Sequence, residues 1–384
     1  MDTSFLDWPF IPAGADAVYR RADAWAAQAV HGLVDEKDES MAAACAGVKA
    51  LVAAMGRDGL LDISTALEQP LSSVRLCLTR DALARHSGLA DFAFAMQGLG
   101  TGPISLFGTE DQKRQVLPLT SRGEILSAFA LSEREAGSDV SALACAARKD
   151  GGDYVLDGEK TWISNAGIAG VYVVFARTGE APGAKGLSAF IVEAGTKGFT
   201  VPALIDITAP HPIGTLRFES CRIPARAMLG KPGDGFRIAM ATLDVFRSTV
   251  GAAALGFSRR ALFDAIAHVK GRKLFGGRLA DLQMTQGALA ERATATDAAS
   301  LLVYRAAWKK DQGHRVSREA SMAKLFATEE AQKTVDTAVQ LFGGQGVTRG
   351  HPIERLYRDV RALRIYEGAS EVQKLIIART YLND

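Results

Sequence analysis

The order in which helix and strand signals follow one another constrains this chain more than any single motif. Residues 1–125 read as helix: Ala15 to Val30 and Met41 to Met55 are alanine-rich with apolar side chains spaced by three and four, and a further helical group runs from Arg75 to Gln97. Over 126–235 these give way to short runs rich in Val, Ile, Phe, Tyr and Thr: Ser127 to Leu131, Asp153 to Leu156, Val171 to Ala176, Leu187 to Val192 and Thr215 to Phe218. Gly151-Gly152-Asp153 and Pro182-Gly183-Ala184 supply turns between them. No long helix intervenes to carry a parallel crossover, so antiparallel strands in a small sandwich or barrel are predicted. From 236 helix returns in long segments, Phe236 to Lys270, Ala280 to Asp311 and Ser317 to Leu341, whose length and short connections suit an antiparallel bundle. The expected class is α+β, mainly α: an N-terminal helical domain (1–125), a middle antiparallel β-domain (126–235) and a C-terminal helical bundle (236–384). Sheets in α/β proteins are interleaved with their own helices, so this segregation already excludes that class.

Composition narrows the function classes. With 384 residues, 48% hydrophobic and 23% charged, the chain can fill two or three cores and is neither disordered nor fibrous. Forty-five Lys+Arg against 43 Asp+Glu leave a formal charge of +2, which argues against a nucleic-acid partner. Cys45, Cys77, Cys145 and Cys221 are too dispersed for a C-x-x-C pair or a zinc site, and disulfides are not expected. Met1-Asp2-Thr3-Ser4-Phe5 lacks the basic start of a secretory signal, and no run of about 20 apolar residues is suited to crossing a bilayer. A soluble cytoplasmic protein with no membrane partner is expected. G-x-x-x-x-G-K-[ST], G-x-G-x-x-G and G-x-S-x-G are all missing, which disfavours P-loop, nicotinamide and α/β-hydrolase chemistry.

The remaining motifs each admit a plain reading and a chemical one. The loop Ser132-Glu133-Arg134-Glu135-Ala136-Gly137-Ser138-Asp139 is a surface turn, or a set of hydroxyl and backbone donors for carbonyl or phosphate oxygens. Trp162, two residues before Ser164, is a core residue or a ring that flanks a flat aromatic cofactor. Arg272-Lys273-Leu274-Phe275-Gly276 caps a helix with cations where the macrodipole favours them. Phe342-Gly343-Gly344-Gln345-Gly346 has more glycines than a C-cap needs, which suits close backbone approach to a ligand. Arg355, Arg358, Arg361 and Arg364 make a solvated or ion-paired face. Ser370-Glu371-Val372-Gln373 fits a capping box opening the terminal helix, so that Glu367 stands in the preceding loop, placed there either for the helix dipole or as a general base.

In this order and at these separations the motifs resemble the acyl-CoA dehydrogenase family of flavoproteins over nearly the whole chain. The S-E-x-x-A-G-S-D loop, the R-x-x-F-G turn, the L-F-G-G-Q-G run and the R-D-x-R-x-x-x-I-Y-E-G-x-S-E-V-Q ending carry the likeness. It implies a homotetramer in which each chain has a helical, a β and a four-helix-bundle domain, with FAD bound between domains and across a subunit boundary. It also implies oxidation of an acyl-CoA thioester to the trans-2,3-enoyl-CoA, electrons passing on to an electron-transfer flavoprotein. Glu367 is then the base that takes the α-proton, its backbone N–H and a ribityl hydroxyl holding the thioester oxygen. Phe129, Leu131, Ser132, Ser138, Trp162, Ile163 and Ser164 match flavin-lining positions. Arg272, Phe275, Gln283, Gln340, Gly343 and Gly344 match positions that reach a neighbouring subunit's FAD, and Ala369, Ser370 and Glu371 match the stretch around its adenosine diphosphate. Ser138, Asp244, Phe246, Arg247 and Gly368 match substrate-side positions.

The chain departs from the family pattern at three places. Arg134 and Glu135 replace a proline and a glycine, Ile207 to Gly214 replaces the usual G-x-R-x-S-x-x, and the position before Arg247, where some members carry the base, is Phe246. Phe246 and the changed loop are compatible with a branched, cyclic or aryl-substituted acyl group. Two alternatives share the likeness: an oxidase-like enzyme that returns electrons to oxygen, and a flavin-binding or assembly protein without the chemistry.

Overall fold

The computed structural model describes residues 2–35, 37–67 and 70–383. Among the described residues six α-helices come first: α1 (Asp16–Leu33), α2 (Met41–Arg57), α3 (Asp62–Thr65), α4 (Ser73–His86), α5 (Gly88–Phe107) and α6 (Glu110–Ser121). The helical signal over Arg75 to Gln97 is two helices, because Ser87 takes an extended conformation (φ −157°, ψ 127°) and ends α4. Eight strands follow: β1 (Ser127–Ala130), β2 (Ala146–Asp150), β3 (Asp153–Ser164), β4 (Val171–Arg177), β5 (Leu187–Glu193), β6 (Phe199–Leu204), β7 (Ile213–Pro224) and β8 (Met228–Leu229). Then come α7 (Gly235–Gly271), the short ribbon β9 (Lys273–Leu274) and β10 (Gly277–Arg278), α8 (Gln283–Asp311), α9 (Ser317–Phe342), α10 (Pro352–Arg361) and α11 (Ser370–Asn383).

The strands form one sheet in the order β6-β7-β3-β2-β4-β5-β8, with β1 beside β4. It is mixed, not wholly antiparallel. β1 runs parallel to β4 with Ser127 opposite Val171, the return being made through β2 and β3 and not through a helix. A single registered pair, Ala146 with Arg177, joins β2 to β4. Residues Val171 to Ala176 are buried at every position, as a central strand covered on both faces requires.

Packing divides the chain into two compact units that do not follow the sequence zones. One, the helical unit, comprises residues 1–32, 72–91 and 244–384; the other, the sheet unit, comprises 33–71 and 92–243. The N-terminal helices are thus shared between two cores, since an apolar helix face packs on whatever surface complements it and not on its chain neighbour. The helical core is built from Phe5, Tyr19, Leu78, Val303, Tyr304 and Val335 among others. Gly256 permits α7 to approach α4 closely: a Cβ there would lie 2.4 Å from the Asp81 carbonyl oxygen. The sheet unit centres on Ile104, Leu117, Val173, Phe175, Leu187 and Ile238. Helix α7 is, by length and composition, apolar enough to cross a membrane, contrary to the expectation from sequence, but 83% of its most apolar window is buried inside the protein.

Candidate active site

In the helical unit, residues 366–369 form the turn between the last 3-10 turn, Ala362–Arg364, and α11. Glu367 has φ 54° and Gly368 φ 95°, so two consecutive residues occupy left-handed backbone. A non-glycine residue held there costs about 1–3 kcal/mol and persists only where its surroundings impose it. Here they do. Lys324 on α9 donates from Nζ to the Gly368 carbonyl at 2.7 Å, and Gln373 on α11 donates from Nε2 to the same oxygen at 2.8 Å and to the Glu367 carbonyl at 3.4 Å. The reciprocal capping box read from Ser370 and Gln373 is replaced by these contacts: the Ser370 hydroxyl donates to Glu329 Oε1 at 2.6 Å, which also receives Arg364 Nε at 2.8 Å.

Both carboxylate oxygens of Glu367 are buried without a hydrogen-bond partner among the described residues. Burial raises its proton affinity above the ordinary carboxylate value, opposed by the charges of Arg80, Lys324 and Arg247 and reinforced by Asp91. Arg80 is itself buried, with Nε and Nη2 on the two oxygens of Asp91 at 2.8 and 2.7 Å and Nη1 donating to Thr249 at 2.9 Å. Arg80 also acts on the Tyr366 hydroxyl, whose proton affinity burial raises and Arg80 lowers. Arg247 pairs with Asp244 at 2.7 Å, and Asp244 accepts from Ser317 at 2.8 Å. A carboxylate with raised proton affinity and unused lone pairs is what abstraction of a weakly acidic C–H requires.

In the sheet unit, β3 bulges between Lys160 and Ile163. Trp162, at the bulge, has φ 59° and is 57% exposed, so its ring is a surface and not the core element that its residue type suggests. The loop after β1 lies beside it, since Thr161 N–H donates to the Ser132 carbonyl at 3.0 Å. Lys160, fully buried, anchors that loop through the Leu131 carbonyl at 3.0 Å and Glu133 at 2.7 Å; Glu133 also accepts the Ala144 and Cys145 N–H groups at 2.7 and 3.0 Å. Ser132 is thereby placed beside the strand segment that carries Trp162 and Ser164, with Ser138 exposed further along the loop. Phe129 packs on Phe175 at 4.9 Å and Leu131 is buried. Ile163 is 1% exposed, so its side chain belongs to the core while its backbone stays available to a ligand. Arg134 lines a cleft of about 230 Å³ with Thr161, Thr215 and Arg217.

Phe246, on α7, is fully buried. Arg272, Phe275, Gln283, Gln340, Gly343 and Gly344 are all exposed. His268 stacks on Phe342 at 4.1 Å, bringing the ends of α7 and α9 together, so Arg272 and Gly343 share one end of the bundle. Phe275 is 91% exposed on left-handed backbone. Ala369 is half-buried, Ser370 buried and Glu371 exposed at the start of α11. Arg80, Asp91 and Lys324 were not found by sequence reasoning, and Tyr366 and Gln373 entered it only as members of the terminal motif. Lys324 did leave a signal, a charged residue on the Ala320, Ala323, Ala327 and Ala331 stripe of α9, where only core residues are expected.

Family models described as the acyl-CoA dehydrogenase N-terminal, middle and C-terminal domains match residues 15–124, 128–221 and 233–382. FadE25 of Mycobacterium tuberculosis, a probable acyl-CoA dehydrogenase, is 40% identical over 318 residues, which cover 82% of each chain. Butyryl-CoA dehydrogenase from Megasphaera elsdenii superposes with a TM-score of 0.87 at 32% identity, covering 96% of this chain and 98% of its own. A chain from structural work on the electron transferring flavoprotein of Acidaminococcus fermentans gives a TM-score of 0.91 at 34% identity and covers 100% of both chains.

Proposed function

The chain belongs to the acyl-CoA dehydrogenase family, an FAD-dependent oxidoreductase family, and from that membership we propose that it oxidises an acyl-CoA thioester to the trans-2,3-enoyl-CoA with Glu367 as the base. One observation carries the reading: a buried carboxylate with two unpaired oxygens, held on a strained turn by contacts from α9 and α11. A thioester α-C–H is a very weak acid, so its proton can be taken only by a base poised near the operating pH while the developing enolate oxygen is hydrogen-bonded. Burial raises the proton affinity of Glu367 towards that condition, and the charges of Arg80, Lys324 and Arg247 oppose the rise.

The residues of the sheet unit fit a flat ring system. Trp162 offers an exposed indole from the left-handed position of the β3 bulge, with the hydroxyls of Ser132 and Ser164 in the adjoining segments. When bound there, FAD supplies the acceptor for hydride from the β-carbon. The Lys160–Glu133 pair keeps the loop carrying Ser132 and Ser138 in place. We extend the reading to an electron-transfer flavoprotein as acceptor, supported by the likeness to the Acidaminococcus fermentans chain. A homo-oligomer is supported by Phe275, which is 91% exposed beside other residues matching positions of a neighbouring subunit's cofactor site.

Anaerobic titration of the flavin-loaded protein with straight-chain, branched and aryl-substituted acyl-CoAs, following the flavin absorbance, tests cofactor, chemistry and acyl class together. Bleaching by at least one acyl-CoA is expected. Glu367→Gln should keep the flavin and the ligand while the reduction rate falls by about 10²–10⁴-fold. Reduction at a near-normal rate in that variant would mean that another group is the base.

A further inference from the structure

Within the helical unit three cations act on the Glu367 carboxylate: Arg80, Lys324 and Arg247. Two of them have a carboxylate of their own, Asp91 at 2.7 Å from Arg80 and Asp244 at 2.7 Å from Arg247. Lys324 has none at ion-pair distance among the described residues; its one hydrogen bond there runs from Nζ to the Gly368 carbonyl at 2.7 Å. The side chain is fully buried, on a helix face that it shares with Ala320, Ser321, Ala327 and Thr328. A buried ammonium without a paired carboxylate is expensive, and the charges that compensate it act from a distance. Burial pushes the amine down to about 8, with Glu367, Glu329 and Glu371 holding it up and Arg247 pressing it further down. Glu329 is already engaged by Arg364 and Ser370.

We infer that Lys324 is a positioning residue for the base: its Nζ pins the Gly368 carbonyl and with it the left-handed Glu367–Gly368 turn, and its unpaired charge holds Glu367 in the carboxylate form. The inference rests on Glu367 being the base. The two roles are separable, because Gln373 shares the carbonyl of Gly368 at 2.8 Å and can hold the turn when Lys324 does not. The groups facing Glu367 are then Arg80 with Asp91, Arg247 with Asp244, Tyr366, and Lys324. Removing the Lys324 charge leaves two neutralised pairs and a phenol around a buried carboxylate, whose proton affinity must rise.

The test is the pH dependence of flavin reduction in rapid mixing of the flavin-loaded protein with whichever acyl-CoA of the panel reduces wild type fastest. Lys324→Met keeps the length of the side chain but neither charge nor donor. Its acid limb should move up by about one pH unit, so that at a pH below the limb the rate falls about tenfold further than on the plateau. Lys324→Arg keeps the charge and should leave the limb close to that of wild type. If Lys324→Met does not accumulate as folded protein, Lys324→Gln, which retains an amide donor but no charge, should show the same shift. A lowered plateau with an unmoved limb in the neutral variants would overturn the inference, since a merely structural role lowers the rate equally at every pH. The two readings fail differently: a Glu367→Gln variant that still reduces flavin removes the base, whereas an inactive Glu367→Gln with unmoved limbs at position 324 removes only the role of Lys324.

Discussion

Replacing Asp91 by asparagine perturbs both the stability of the helical unit and the poise of its base. The Arg80 side chain is 1% exposed and that of Asp91 5%, and the pair is bidentate at 2.8 and 2.7 Å, so neither charge is hydrated. An exposed pair would contribute about 0–1 kcal/mol. Here removing one partner strands the other in the interior, which costs about 3–5 kcal/mol. Asparagine keeps one carbonyl oxygen for Arg80 and belongs at the low end; alanine keeps none and belongs at the high end. The unpaired Arg80 charge also remains near Glu367, where Asp91 had been raising the proton affinity, so the acid limb of flavin reduction should move to lower pH in Asp91→Asn. Urea unfolding at fixed protein and FAD concentration measures the stability, both being held constant because each adds to apparent stability by mass action. Arg80→Leu combined with Asp91→Leu removes both charges, and in a double-mutant cycle should cost far less than the sum of the single changes. Single changes within about 0.5 kcal/mol of wild type, or a double variant equal to that sum, would refute the reasoning.

Other consequences can be checked directly. Trp162→Ala should lower the flavin content of the purified protein with little change in unfolding free energy, because the indole is 57% exposed; full flavin retention would remove its role as a platform. Lys160→Met should strand Glu133 in the sheet unit and cost about 3–5 kcal/mol, read by urea unfolding. Burial pushes up the thiols of all four free cysteines, but only Cys45 is partly exposed, so a thiol reagent at pH 8 should titrate Cys45 alone before unfolding and all four after it. Burial raises the Asp23 carboxyl, but the hydrogen bond from His86 and the charge of Arg85 outweigh it and bring it below 3.8. The unfolded chain therefore takes up this proton first on acidification. The stabilisation is complete above about 3.8 and is lost as pH falls through the lower folded value, so Asp23→Asn should flatten the pH dependence of unfolding in that window.

Much of the architecture was legible from local pattern. Apolar spacing found α7, α8 and α9 to within a few residues, because a helix buries a face whose period is written in consecutive residues. The strands β2, β6 and β8 were missed: Ala146–Asp150 and Phe199–Leu204 have largely exposed faces, and a two-residue strand carries no period. Glu367 was legible through the motif around it and its loop position. The cations that tune it were not, since Arg80 meets Thr249 across 169 residues and Lys324 meets Gly368 across 44.

The sequence by itself determined the long helices, the main buried strands, and which carboxylate stands before the last helix, because each of these depends on residues within a turn or two. Only the tertiary structure decided that Glu367 lies buried with unpaired oxygens, that Trp162 faces outward while Ile163 faces the core, and that Lys324 keeps an unpaired charge. Burial and charge pairing depend on which distant segments the chain brings into contact, and no local period encodes that.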